Sequence, residues 1–139
     1  MTKVVSKIKA IRQDEDKIYA FVSDFNNLDE LVPPDKIQNW KSSADSCHFD
    51  VTGIGSLGMQ ITEKEPYKLV KVQTYQSSPM GVTLWIQIKQ VNPGDSRIRL
   101  TAQANMNPLM KGLVSKHLQQ GIDAMVDKLA EYLNHRSDL

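Results

Sequence analysis

Cysteine occurs once in the 139 residues, at Cys47, and a lone thiol excludes an intramolecular disulfide and fits a reducing compartment. By itself such a residue reads as a small buried hydrophobe. An excess of either charge is also lacking: 17 Lys and Arg stand against 16 Asp and Glu, a formal net charge of +1. Nucleic-acid binding needs clustered cations, so it is not expected. No run approaches the roughly 18 apolar residues of a membrane span, and the opening MTKVVSKIKAIRQDED has no apolar segment of the kind a secretory leader carries. A cytoplasmic protein with no integral membrane segment is therefore expected. His48 and His135 lack the spaced Cys, His or carboxylate partners of a metal site, so neither metal nor cofactor is expected. Repeats, low-complexity stretches and linkers are missing too, and residues 1–139 read as a single domain.

What is present begins with a distraction. Residues 53–58 read GIGSLG, a literal G-x-G-x-x-G. That fingerprint cradles a pyrophosphate only where a strand precedes it, a helix follows, and an acid lies about 20 residues on. Here MQITEKEP follows, with Met59 and Ile61 alternating against Gln60 and Thr62, which is a strand; SSPMG stands where the acid should be. No specific nucleotide binding is expected. The reading that remains is a glycine hairpin, in which Gly53, Gly55 and Gly58 permit positive φ or a bulge in a curved sheet.

Along the chain, VVSKIKAI (4–11) alternates as a first strand, Asp14 offers an N-cap, and Ile18, Phe21, Val22 and Phe25 fall at helical spacing. NNLDELV predicts a second short helical turn before Pro33 and Pro34. The period then changes to two, predicting strands around 37–43, 46–52, 57–65, 68–77, 82–92 and 96–106, joined as an antiparallel meander. Asn107 and Pro108 open a last, long amphipathic helix whose stripe runs from Leu109 to Leu133.

This order resembles the START-like superfamily, the SRPBCC group of birch pollen allergens and polyketide cyclases. The likeness rests on DEDKIYAFVSDFNNLDEL, on GIGSLGMQITEKEP before KLVKVQ, and on the terminal helix. It implies an α+β, helix-grip fold: a seven-stranded antiparallel sheet wrapped around the C-terminal helix, two short helices after the first strand, and an apolar cavity between sheet and helix. Relatives of this kind bind lipids, sterols, quinones or polyketides, and some are enzymes.

Strand parity reads the cavity independently. Cys47, Phe49, Val51, Leu57, Met59, Ile61, Val70, Val72, Val82, Leu84, Ile86, Ile88, Ile98, Leu100, Ala102, Ala104 and Met106 share one face. Polar residues such as Gln60, Lys71, Lys89 and Arg99 take the other. The expected ligand-lining set is Phe49, Met59, Leu84, Ile86, Leu100 and Met106 from the strands, with Met110, Leu113, His117, Gly121 and Met125 from the helix. His117 and Gly121 are expected to face the sheet, His117 as a satisfied boundary histidine, a headgroup anchor or a general acid, Gly121 to leave room for ligand. No converging acids, bases or nucleophile are evident, so no catalytic residue is named. The leading expectation is binding or carriage of a small apolar molecule. A cyclase or dehydratase and a protein-binding adaptor related to quinone chaperones are the alternatives.

Overall fold

A computed structural model of the chain describes residues 2–32, 35–52, 55–75, 81–105 and 111–136, the side chains of Glu30 and of residues 111–114 excepted. Strands β1 (Thr2–Val5) and β2 (Lys9–Ile11) both pair antiparallel with β8 (Asp95–Asn105). The meander continues through β7 (Gly81–Asn92), β6 (Leu69–Thr74), β5 (Gly55–Glu65) and β4 (Ser46–Val51) to β3 (Ile37–Ser42) at the far edge. The sheet thus has eight strands rather than seven, because the expected first strand breaks in two. Ser6 causes the break: its N–H donates to Leu100 O at 2.8 Å while its Oγ accepts from Leu100 N at 2.9 Å, so the side chain stands in for a ladder carbonyl.

Between β2 and β3 lies α1 (Glu15–Val22), which buries Ile18, Phe21 and Val22. Asp14 precedes it without capping it. Its carboxylate instead accepts from Gly94 N at 2.7 Å and Gln90 Nε2 at 3.1 Å, fastening α1 to the β7–β8 hairpin. The expected second helix is a pair of single 3-10 turns, Phe25–Asn27 and Asp29–Leu31. Asp24 Oδ1 accepts from Asn26 N at 2.9 Å, and such a local bond favours a tight turn over a continuing helix.

Helix α2 (Lys111–Asn134) packs on β8, β1 and β2. Ile122, Val126, Leu129 and Leu133 are buried against the inward side chains of β8, where Ile98, Leu100 and Ala104 are wholly covered. Burying a Leu- or Ile-sized side chain contributes about 1.5–3 kcal/mol, so this contact is the stable centre of the fold. One residue ahead on the helix, Gln119, Asp123 and Asp127 form a polar flank. Gln119 Nε2 donates to Val5 O at 2.8 Å, Asp123 Oδ1 accepts from Lys7 N at 2.9 Å, and Asp127 pairs with Lys7 Nζ at 2.6 Å.

The two tryptophans take opposite faces. Trp40 is turned inward and stacks on Phe49, with centroids 5.4 Å apart and planes at 15°. Trp85 belongs to the outward face, with Lys3 Nζ and Lys71 Nζ 5.9 and 5.8 Å from its ring centroid.

Candidate functional site

The inward face divides into two parts with different cover. Under α2 the β8 positions are sealed. Further along the sheet, Leu57, Met59, Ile61, Leu84 and Trp40 are only half-buried, although they continue the same apolar face. Among the described residues, the sheet contacts of α2 fall mainly on β8, β1 and β2. This half-buried stretch of the apolar face is the candidate site.

Of the expected lining, Phe49, Ile86 and Leu100 are buried core residues, with Leu100 beneath α2. Met59 and Leu84 stand half-buried on this stretch. Met106, Met110 and the Leu113 side chain lie outside the described residues. His117, Gly121 and Met125 do not pack on the sheet: the first two are exposed and Met125 is 37% exposed. The reason is angular, since at 100° per residue they sit one step from the inward row of half-buried Leu118 and buried Ile122 and Val126. Gln119, Asp123 and Asp127 hold one flank of α2 to the β1–β2 edge, and the row of His117, Gly121 and Met125 lies on the other flank. A Cβ added at Gly121 meets nothing within 4 Å, so no close packing requires this glycine.

Cys47, also inward, is 1% exposed, and burial pushes its thiol up to about 12. It is a packing group, not a nucleophile. Trp40 Nε1 is buried and has no hydrogen-bond partner among the described residues. Also among the described residues, no three His, Cys, Asp or Glu side chains form a metal-binding group, and no helix is long and apolar enough to cross a membrane.

A hollow of about 810 Å³ opens on the other side of the sheet, lined by Asn39, Lys41, His48, Asp50, Ser56, Gly58 and Tyr75 together with Phe49 and Leu57. Its floor is a stacked pair: His48 and Tyr75 lie 5.4 Å apart with planes at 9°. Gly58 sits beneath them in the middle of β5, where a Cβ would come 2.7 Å from Tyr75 Cδ2 and 2.8 Å from His48 Cδ2. Gly58 is therefore not the turn residue expected of it. Gly55, with φ of 116°, does take the backbone that glycine favours, and Gly53 lies outside the described residues. Asp50 accepts from Asn39 Nδ2 at 2.7 Å and Ser56 Oγ at 2.5 Å. The Ser56 and then the Asn39 hydrogen bond hold its carboxyl below the ordinary 3.8. Sequence reasoning missed this groove because its residues come from three strands and the end of a fourth, and only their register unites them.

No protein-family model matches the chain, and no curated protein matches its sequence. Solved structures do match. A START superfamily protein from Mycobacterium smegmatis superposes with a TM-score of 0.76 at 13% identity, over 94% of this chain and 96% of that one. The Aha1 dimer from Colwellia psychrerythraea gives 0.72 at 20% identity, over 97% and 98%. Norcoclaurine synthase from Thalictrum flavum, in complex with dopamine and hydroxybenzaldehyde, gives 0.72 at 15%, over 99% and 90%. With near-complete coverage in both directions, an antiparallel sheet and a long closing helix, the chain has the START-like fold of the SRPBCC group.

Proposed function

We propose that the chain binds a small apolar molecule in a cleft between the inward face of β4–β7 and the free flank of α2. The observation that carries this reading is the uneven cover of one apolar face: sealed along β8, half-open at Leu57, Met59, Ile61 and Leu84. A soluble domain gains by covering such a face, and a ligand of elongated or polycyclic shape does so. Burial yields roughly 25 cal/mol per Å² before the costs of association, so a few hundred Å² supports micromolar binding without an ion pair. The inward strand positions present neither carboxylate nor histidine, and the reading is therefore of a binder rather than a cyclase.

The test is displacement of an environment-sensitive apolar dye by fatty acids, sterols, quinones and aromatic polyketides. Binding should saturate, depend little on salt, and fall at least tenfold in Leu84→Arg while the fold persists by circular dichroism. If no competitor in the panel displaces the dye, or if Leu84→Arg binds as the wild type does, the cleft is not the site.

A further inference from the structure

The outward groove is built in ways that the apolar cleft does not need. Strand β3 slips register between Gln38 and Lys41, and Asn39 takes φ of 57°, a left-handed conformation that few residues other than glycine adopt. That bulge brings Asn39 Nδ2 onto Asp50 Oδ2, while Ser56 Oγ holds Oδ1. Both carboxylate oxygens are thus fixed, and each keeps a lone pair for a further donor. Lys41, in register with His48 on the same face, makes no ion pair among the described residues. Beside both charges, the stacked His48–Tyr75 pair leans over Gly58, which has no side chain.

One ammonium and one carboxylate therefore border the same hollow without neutralising each other, beside an aromatic floor. An apolar guest would desolvate both charges and return nothing. A simple anion meets Asp50 and a simple cation meets Lys41, each unfavourably. A zwitterion satisfies both charges at once, and a planar ring on it gains from stacking. We propose that the groove is a second binding site, for a free aromatic amino acid, its carboxylate on Lys41, its ammonium on Asp50 and its ring against His48 and Tyr75. The groove and the apolar site lie on opposite faces of the sheet and share Leu57. Because it is open to solvent, where ion pairs are weak, the dissociation constant is expected to be on the order of 1 mM.

The experiment is a titration of the 15N-labelled chain with L-phenylalanine and L-tryptophan, followed by amide chemical shifts. Saturable shifts are expected at residues 39–41, 48–50, 56–58 and 75. N-acetylation or amidation of the ligand should weaken binding severalfold, as should Asp50→Asn or Lys41→Gln, with apolar dye binding unchanged in both variants. Lys41 is exposed, so Lys41→Gln carries the test should Asp50→Asn unfold. The proposal is overturned by absence of saturation at millimolar ligand, by shifts confined to the apolar cleft, by equal affinity for leucine, or by wild-type affinity in Lys41→Gln.

Discussion

Lys7, in the break between β1 and β2, and Asp127, on the polar flank of α2, form an ion pair at 2.6 Å. With Lys7 N on Asp123 Oδ1, it ties the helix to the sheet edge on one side only. The hydrogen bond from Lys7 chiefly holds the Asp127 carboxyl below 3.8, and the same bond chiefly holds the Lys7 ammonium above 10.5. A lowered acid adds stability above its ordinary value and loses it as pH falls through the lower folded value; a raised base adds stability below its ordinary value and loses it as pH rises through the higher one. The pair thus acts throughout the neutral range. In urea unfolding, Asp127→Asn should be less stable than wild type at neutral pH, with the difference vanishing as pH drops below 3.8 and shrinking in high salt. A difference that stays constant on acidification would rule the pair out as its cause. Both side chains are exposed, so the effect should be small.

Cys47 should be chemically silent in the folded protein. Its thiol is buried and pushed up to about 12, so at pH 8 almost none is thiolate. A thiol reagent such as 5,5′-dithiobis(2-nitrobenzoate) should react only as fast as the protein opens, and stoichiometrically in denaturant. Rapid labelling of native protein would show that β4 is not sealed as described.

Replacing Gly121 with alanine should stabilise the protein by about 1 kcal/mol, since the new Cβ meets nothing and alanine favours a helix interior over glycine by that amount. Thermal and urea unfolding measure it. Gly121→Leu should keep this stability and weaken dye binding, because the longer side chain borders the proposed cleft. Destabilisation by Gly121→Ala would mean that the helix flank is more closely packed than the geometry shows.

Gly58→Ala should behave oppositely. Its Cβ would enter the space of two rings at 2.7–2.9 Å, and overpacking of this kind costs about 1–3 kcal/mol. Adding His48→Ala removes one ring and should restore part of the loss. Simple additivity of the two changes in a double-mutant cycle would show that the His48 ring does not meet the new methyl.

Alternation along the strands was enough to assign the inward face correctly, because a period of two leaves no freedom once one face is apolar. Cys47, Phe49, Val70, Val72, Ile86, Ile88, Ile98 and Leu100 are all buried as that pattern requires. Helical phase was less legible. The row of His117, Gly121 and Met125 differs from the buried one by a single step, and a stripe broad enough to include Leu113, Val114 and Leu118 does not fix its own centre. Backbone irregularity was misplaced for a different reason. Glycines drew attention to 53–58, whereas left-handed residues also occur at Asn39 and Tyr67, where hydrogen bonding and turn geometry override the preference. Gly58 marks absence of a side chain, which a string of letters does not distinguish from freedom of φ.

The placement of the two tryptophans gives the molecule an optical address on each side. Trp40, stacked on Phe49 with its N–H buried, should emit at shorter wavelength than Trp85, which stands among lysines on the outward face. In a Trp85→Phe background the remaining fluorophore watches the cleft alone, and in Trp40→Phe it watches the outer surface alone. Occupancy of the apolar side is thereby readable in real time, without a dye, from the colour of a single indole.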